Sequence, residues 1–551
     1  MSTAGSPVNA AEPSLARSTA VMATGTLLSR VTGLLRVTVL VATLGVGESR
    51  LADVYNVANT TPNIVYELVL GGILSSIFVP VFVEVRNTRG ARQAWHVARA
   101  TMTIAIVGLG LLALIGILAA PWIIKLYIHS GTPAERAEAQ QLGGQLLAMF
   151  MPQIVFYGVG AVMTGLLNAN RRFGVPMFAP ILNNLVVIAV GLTFHFLVGQ
   201  QVPQVGEVTT GQKLLLGLGT TAGVAAMTLV QWPFLRRIGF RFHFVWHWRD
   251  QAIRKMATLS AYTVGYVVTN QVGYLIIPVL AYGVQGGYTA YSTAFIFFQL
   301  PHGVFAVSVM TALLPPLSEY AVAKDWDAFR ATLSRGVRLT AAVLLPAAIG
   351  YLALAGPIVR LLLEHGVVTG ASTELLTRVL TVFVLGLVPF STFQLILRAF
   401  YALQDTRTTF MINLVAVGTN VAANLLLFAL LPERWKIPGL ALGHVAHYTV
   451  GSALLLVSLS RRIGGLDGLR ILKAVVRMLV AGLVMGVVAA VAGGAAGGLV
   501  PPGFLRDLIT VTVGVATGVG TYLLAARLLR IEELGLLMAV LRRRRRGSGR
   551  A

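Results

Sequence analysis

The sequence contains no cysteine, and only 11% of its 551 residues are charged. The absence of cysteine excludes a disulfide framework, a thiol nucleophile and a cysteine-based metal site. Because soluble domains carry about 25% charged residues, so few charges also exclude the ordinary soluble enzymes. Acidic residues are the scarcest charged class, with 20 Asp and Glu against 43 Lys and Arg. Hydrophobic residues make up 56% of the chain, which places most of it in lipid.

Long apolar runs dominate the chain. A helix needs about 20 apolar residues to cross the bilayer core, and fourteen runs meet that requirement. The first begins near Ala20, contains Arg30 and Arg36, and lacks the cleavage pattern of a signal peptide, so we predict a retained helix. The runs are centred near residues 33, 68, 106, 153, 187, 224, 268, 303, 344, 388, 419, 449, 484 and 517. We therefore predict an all-α polytopic membrane protein with 14 transmembrane helices.

Basic residues are concentrated on one side of this predicted topology. Linkers after even-numbered spans carry 23 Lys and Arg, whereas the other linkers carry nine. The positive-inside rule then places both termini in the cytoplasm of a multi-pass plasma-membrane protein. The net charge of +23 is spread over a membrane face, so we expect no nucleic-acid partner. The terminal run Arg542 to Arg546 fits a topology anchor better than a site for anionic membrane lipids, which remains the alternative.

The sequence also contains an internal repeat. Pro121 and Pro357 occupy similar hexapeptides 236 residues apart, and Pro80 and Pro315 are separated by 235. This offset predicts two six-helix lobes in parallel orientation, followed by an unmatched helix pair. The predicted boundaries are 1–19 for an N-terminal tail, 20–240 for the N-lobe, 241–465 for the C-lobe, 466–530 for spans 13 and 14, and 531–551 for a basic tail. Repeated lobes with a binding site between them are typical of secondary transporters, and a duplication without transport is the alternative.

Several polar residues are predicted to lie at membrane depth, where each charge costs at least ~2.5 kcal/mol unless it faces a cavity or a partner. Arg30 and Arg36 lie on the first span, six residues apart. The second span carries a polar stripe on one helical face: Asp53, Asn56, Asn59, Thr60, Asn63 and Glu67. The second half contributes Tyr266 and Asn270 on span 7, and Gln299 and His302 on span 8. These four spans predict a central cavity. Its arginines favour an anionic, phosphate-bearing cargo.

Other polar patterns do not indicate catalysis or metal binding. His243 and His247, and likewise His444 and His447, have helical spacing but lack a neighbouring carboxylate of the metalloprotease type. No Ser, His and Asp set is spaced in a way that predicts hydrolase chemistry. We therefore expect a transporter rather than an enzyme, with no resident metal and no cofactor.

Longer motifs resemble those of one family. Residues 25–36 read GTLLSRVTGLLR, residues 71–82 read GGILSSIFVPVF, and residues 398–407 read RAFYALQDTR. These segments resemble the MurJ (MviN) lipid II flippases of the MOP exporter superfamily. The resemblance implies a MATE-like fold of fourteen helices, with spans 13 and 14 forming a groove for a lipid tail. It also implies movement of undecaprenyl-diphosphate-linked peptidoglycan precursor, lipid II, from the inner to the outer leaflet by alternating access.

The same resemblance suggests roles for individual residues. Arg30, next to Ser29, and Arg36 match essential cavity arginines of the family, and Asp53 matches an acid at the start of span 2. The chain also departs from the family pattern. Val37 replaces an Asp, Tyr66 and Glu67 replace paired arginines, and Ile296 and Gln299 replace an Arg and a Glu. A cavity with fewer cations is expected to use other donors, such as Tyr266, Asn270 and His302. The pattern is closer to the actinobacterial branch, whose longer members add a pseudokinase-like region.

Several alternatives remain open from the sequence. The chain could move another polyprenyl-linked glycan, act as a MATE-type antiporter, or serve as a membrane scaffold that recruits cell-wall synthesis proteins through its basic loops. An intramembrane transferase is a further alternative. Membrane potential or a cation gradient would drive transport, and the sequence does not distinguish between them.

Overall fold

The computed structural model describes residues 15–69, 78–199, 201–533 and 535. These residues form nineteen α-helices joined by short turns. The helices are α1 (Leu15–Leu44), α2 (Leu51–Val69), α3 (Val79–Arg89), α4 (Ala91–Tyr127), α5 (Pro133–Phe150), α6 (Gln153–Ala169), α7 (Gly174–Val198), α8 (Thr210–Leu229), α9 (Trp232–Arg237), α10 (Gln251–Ala281), α11 (Gly287–Pro301), α12 (Val307–Ala323), α13 (Trp326–Leu363), α14 (Gly370–Leu385), α15 (Leu387–Ala402), α16 (Thr406–Leu430), α17 (Glu433–Ile463), α18 (Gly468–Gly498) and α19 (Phe504–Leu528).

The predicted all-α membrane fold is confirmed. Twelve segments of the described chain are long and apolar enough to cross a membrane, and a thirteenth is obtained if α14 and α15, bent by 44°, form one span. Thirteen of the fourteen predicted centres fall in these segments. The second predicted span corresponds to α2 and α3, and residues 70–77 between them lie outside the described residues. The exact number of fourteen is therefore not confirmed.

Short polar sequences explain where many helices begin. Thr132 and Thr209 each form a capping box that holds the first turn of α5 or α8. Asp325 and Asp405 accept hydrogen bonds from the first-turn amides of α13 and α16. These caps satisfy amides that no helical carbonyl can reach, so the helices on either side can be connected by very short turns.

The helices form two groups around a common interface. Helices α1 to α9 pack chiefly against one another, and α10 to α17 do the same. We call these groups the N-lobe and the C-lobe. The long helices α4 and α13, with 37 and 38 residues, carry Pro121 and Pro357 of the sequence repeat near the same point. Between α9 and α10, residues 238–250 connect the two groups.

The final pair, α18 and α19, packs on α13 of the C-lobe. Gly482 and Gly486 of α18 allow close approach to Ile349, while Gly514 of α19 lies against the backbone at Ala489. The two small-residue faces therefore have different roles: one joins the pair to the C-lobe, and the other joins the two helices to each other. The outward faces carry exposed valine and leucine side chains, as expected for contact with lipid.

A buried ion pair fixes the segment that follows α19. Glu533 lies 2.8 Å from Arg338 of α13, and the two side chains are only 4% and 10% exposed. The neighbouring Tyr522 hydroxyl donates to the Ala342 carbonyl at 2.8 Å. These contacts hold the end of α19 against the C-lobe.

We predict that Glu533→Gln lowers the thermal stability of the purified protein, because Arg338 would remain buried without its counter-charge. The expected cost is about 3 kcal/mol, measured as a lower melting temperature in detergent. Glu532→Gln is the matched control, since Glu532 lies 3.9 Å from Arg470 and both side chains are mostly exposed. The control should cost less than about 1 kcal/mol. Equal melting temperatures for the two variants would contradict the assigned role of Glu533.

Candidate functional site

A cavity of about 680 Å³ lies between the N-lobe and the C-lobe. Its wall is formed by α1, α2, α6, α7 and α8 on one side and by α10, α11, α15, α16 and α17 on the other. Nine residues predicted from the sequence lie on this wall: Arg36, Asn56, Asn59, Thr60, Asn63, Glu67, Tyr266, Asn270 and Gln299. The structure therefore brings the polar stripe of α2 to the same space as the predicted positions on α10 and α11.

The N-lobe wall carries the charge of the cavity. Arg36 of α1 and Glu67 of α2 are the only charged side chains on the lining among the described residues. The Nε atom of Arg36 is buried and has no hydrogen-bond partner in that part of the chain. Asn59 likewise keeps an unpartnered buried oxygen. Unpaired polar atoms inside a protein are costly, so this wall is suited to bind a polar guest or water.

The C-lobe wall is polar but uncharged. The Asn270 side-chain amide donates to the Tyr266 backbone carbonyl at 2.9 Å, which orients the Asn270 side chain along α10. The hydroxyls of Tyr274 and Tyr288 lie 3.0 Å apart, and Tyr288 also contacts the Thr60 hydroxyl at 2.7 Å. Hydroxyl and amide groups can donate to an anion without adding charge.

Three predicted residues lie away from the cavity lining. Ser29 and Arg30 are on α1, and His302 directly follows α11. Arg30 is exposed on α1 and lies against Gly303 of the C-lobe, where an added Cβ would be 2.9 Å from the guanidinium carbon. Ser29 supports helix packing, because its carbonyl accepts from Asn184 at 3.3 Å. His302 begins a π-helical turn after Pro301, and its ring nitrogen bonds the Ser391 hydroxyl at 2.8 Å. These three residues therefore do not line the cavity in this conformation, and their role in binding substrate stays a prediction.

Asp53 is also absent from the lining and joins the lobes instead. Its carboxylate is fully buried and accepts from the Gly286 amide at 2.8 Å, the Thr289 amide at 2.9 Å and the Thr289 hydroxyl at 2.7 Å. Gly286 is the N-cap of α11 and has no side chain to satisfy the first-turn amides. Asp53 therefore acts as an N-cap supplied by the opposite lobe. A side chain at Gly286 would meet the Val46 carbonyl at 2.7 Å, so the close approach requires glycine.

Glu48 makes a second contact of the same kind. It lies in the α1–α2 turn, and its carboxylate accepts from the Thr369 amide at 2.7 Å and the Ser372 hydroxyl at 2.7 Å. Thr369 is the N-cap of α14, and its own side chain makes no cap. Two N-lobe carboxylates thus complete the N-termini of two C-lobe helices. We call Asp53 and Glu48, with these partners, the cross-lobe caps.

The cross-lobe caps close the lobes on one face of the molecule. The turns that they join precede even-numbered predicted spans, on the side with few basic residues. Arg50 adds a bond to the Tyr282 carbonyl at 2.6 Å on the same side. The Val367 amide adds another to the Ala42 carbonyl at 3.0 Å. The protein therefore has a polar cavity whose exit is shut on the face away from the basic linkers.

Sequence reasoning missed several cavity residues. Gln153, Tyr157 and Asn183 come from N-lobe helices without an obvious polar stripe. His444 and His447 of α17 also lie on the lining, although their spacing had been considered only for metal binding. Their three-residue separation on an apolar span was the available signal. The described residues contain no group of three or more His, Asp or Glu side chains suited to hold a metal ion.

Comparison with known proteins identifies the family. The family model described as "Lipid II flippase MurJ" matches residues 40–500. This chain belongs to the MurJ family. Among curated MurJ proteins, the probable lipid II flippase of Haemophilus influenzae is 29% identical over 457 residues, covering 79% of this chain and 84% of that protein. The lipid II flippase of Burkholderia cenocepacia is 27% identical and covers 79% and 82%.

Solved structures show the same fold as this MurJ-family chain. A lipid II flippase MurJ in an inward closed conformation aligns with a TM-score of 0.71 at 20% identity, covering 93% of this chain and 99% of that one. An inward-facing multidrug resistance MATE transporter of the MOP superfamily aligns with a TM-score of 0.63 at 13% identity, covering 80% and 98%. The predicted MATE-like architecture is therefore confirmed.

The cross-lobe cap at Glu48 predicts a defined pH response. Burial raises the pKa of the Glu48 carboxyl, but hydrogen bonds from Val46, Ser372 and Thr369 outweigh burial and hold this pKa below its usual range. A depressed pKa means that the stabilising contribution is present above the ordinary value, about 4.3, and is lost as pH falls through the lowered value. Closure at Glu48 should therefore persist from neutral pH down to about pH 5 and weaken only below about pH 4.

This response can be measured with two spin labels, because the chain has no cysteine of its own. Ala134→Cys and Ala371→Cys place labels on exposed sites of the two lobes. The distance between the two labels should remain constant across the neutral pH range in the otherwise unchanged protein. Glu48→Gln should broaden the distribution of distances towards longer values at pH 7. An unchanged distance in Glu48→Gln would show that the carboxylate does not hold the lobes together.

Proposed function

We propose that this protein moves lipid II from the inner to the outer leaflet of the bacterial plasma membrane by alternating access. The observation that carries the proposal is Arg36 on the lining of a cavity between two lobes, with a buried Nε that has no hydrogen-bond partner among the described residues, in a chain of the MurJ family. The protein acts as a transporter and not as an enzyme.

The chemistry of the cavity suits a diphosphate. Guanidinium groups hold their charge in any environment and bind phosphate oxygens through paired N–H donors. Arg36 supplies this group, and Asn56, Asn63, Asn270 and Gln299 supply neutral amides on the same cavity lining. On the described lining, one positive charge on Arg36 is balanced by one carboxylate on Glu67, so this part of the empty cavity has no large net charge. We infer a site that binds an anion firmly enough to carry it and weakly enough to release it.

Arg30 provides a first contact on the route to Arg36. The two arginines are six residues apart on α1, or about 9 Å along the helix axis. Arg30 lies farther from the closed face and is exposed beside Gly303. We propose that the diphosphate meets Arg30 at entry and then passes to Arg36. Asp53, Ser29 and His302 contribute through lobe and helix packing around this route.

The cross-lobe caps act as the gate on the far side. Opening that face would strip α11 and α14 of their N-terminal acceptors, and each lost cap costs about 1 kcal/mol. We propose that the basic face and both termini are cytoplasmic and that the caps release when the cargo is delivered outward. Membrane potential or a cation gradient supplies the drive.

We propose that the lipid tail stays outside the cavity, along α18 and α19. The outward surfaces of these helices expose apolar side chains such as Val487 and Val491. Membrane lipids surround the same surfaces, and other cell-wall synthesis proteins would meet the chain at its basic loops.

Arg36→Ala should reduce lipid II flipping by about tenfold or more, because a charge-assisted hydrogen bond is worth about 1.5–3 kcal/mol and each 1.4 kcal/mol is a factor of ten. The measurement is leaflet-resolved lipid II in cells depleted of their own flippase and expressing the variant. Lys125→Ala, which removes an exposed cation on the same lobe, is the control and should retain activity. Full flipping activity of Arg36→Ala would contradict the proposal that Arg36 binds the diphosphate.

The same assay separates the alternatives. Another polyprenyl-linked glycan as the true cargo would leave lipid II in the inner leaflet while that glycan moved. A scaffold would support growth with Arg36→Ala and Lys125→Ala alike.

Glu67→Gln should have the opposite effect on binding. Removing the only carboxylate of the described cavity lining takes away repulsion of the anion, so the affinity for a polyprenyl diphosphate should rise about threefold to tenfold, the range of a modest coupling of charges. Titration of the purified variant with farnesyl diphosphate measures this change. Weaker binding by Glu67→Gln would instead assign the carboxylate a direct role in holding the ligand.

A further inference from the structure

His444 and His447 occupy the C-lobe wall of the cavity, where no charged side chain is found in the described part of the protein. The Nε2 atoms of both rings are buried and lack hydrogen-bond partners. The proposed function does not use these two histidines. Histidine is the side chain that exchanges protons near neutral pH, and two unpartnered ring nitrogens on cavity-lining residues require a physical explanation.

The surroundings of His444 are aromatic. Its ring centroid lies 5.2 Å from Phe295, 5.4 Å from Phe383 and 4.8 Å from Tyr448. Such a shell excludes water and disfavours a charged ring while the cavity is empty. The ring would gain a proton readily only if an anion entered beside it.

The second ring is more deeply buried. The Nε2 atom of His447 has no hydrogen-bond partner among the described residues, although the residue lines the cavity. A neutral imidazole keeps one nitrogen lone pair that can accept a proton. His447 is only 6% exposed, so its open nitrogen is not served by bulk water outside the cavity.

The groups that face this pair add no charge of their own. Tyr448 neighbours both rings on α17, Tyr266 faces it from α10, and Tyr291 faces it from α11. Asn420 faces the same space from α16. The only charged side chains on the described lining, Arg36 and Glu67, both belong to the N-lobe. On the described lining, the C-lobe can therefore offer a positive charge to an anion only by protonating a histidine.

We propose that His444 and His447 form a proton-binding site that fills when a diphosphate enters the cavity, so that cargo and proton bind together. This inference rests on the proposed function. The proton comes from water on the entry side, is held at a ring Nε2 beside the anion, and leaves when the diphosphate leaves. By thermodynamic linkage, the ligand that favours the protonated ring is itself bound more tightly when a proton is available. Each transported diphosphate would then cross with part of its charge neutralised.

Calorimetric titration with farnesyl diphosphate tests this coupling in the purified full-length protein. Binding heats are measured near pH 7 in two buffers that differ in ionisation enthalpy, and the difference gives the protons taken up. Wild-type protein should take up about one proton more per bound ligand than His444→Gln/His447→Gln, because the lipid's own titration is common to both. His243→Gln, an exposed histidine of the inter-lobe linker, is the matched control and should behave as wild type.

A second measurement covers the case in which the double variant fails to fold. The affinity of the wild-type protein for farnesyl diphosphate should fall between pH 6 and pH 8. The fall should exceed, by up to about tenfold per pH unit, the fall measured when the same ligand binds to a free arginine-rich peptide. Binding without extra proton uptake in wild type overturns the histidine inference and leaves the flippase proposal intact. Absence of any diphosphate binding, with Arg36→Ala indistinguishable from wild type, overturns the flippase proposal itself.

Discussion

Keeping one guanidinium at membrane depth is the constraint on which the rest of this structure depends. Arg36 cannot lose its charge, and placing that charge in the hydrocarbon core would cost at least ~2.5 kcal/mol on insertion scales. The chain meets this demand by opening a cavity of about 680 Å³ beside the side chain and lining it with amides and hydroxyls. The cavity lies between two groups of helices, which is the arrangement that the duplicated lobes provide.

The two lobes are joined by carboxylates of one lobe that cap the N-termini of helices in the other. Within the C-lobe, α13 and α16 begin at Asp325 and Asp405, which cap their own helices. The cavity-facing helix α11 and its neighbour α14 lack such caps and borrow the carboxylates of Asp53 and Glu48. Closing the lobes therefore completes two helices, and opening them leaves amides unsatisfied. The same bonds thus determine both local helix stability and access to the cavity.

The sequence was sufficient for the parts of the structure that depend on local pattern. Apolar run length predicted thirteen of the spans, and the polar stripe of α2 correctly brought Asn56, Asn63 and Glu67 to one surface. It could not show that Asp53, on the same stripe, points into the C-lobe, because the Gly286 and Thr289 amides that bind it lie over 230 residues away. The histidines of α17 were undervalued for a similar reason, because the aromatic rings around them include Phe295 of α11, Phe383 of α14 and Phe390 of α15.

The most direct test of the account is a structure of the protein with undecaprenyl diphosphate bound. The account predicts phosphate density inside the inter-lobe cavity, within hydrogen-bonding distance of the Arg36 guanidinium, with the polyprenyl chain leaving towards lipid. Phosphate density outside the cavity, or an Arg36 side chain packed against protein with no ligand beside it, would contradict the central claim.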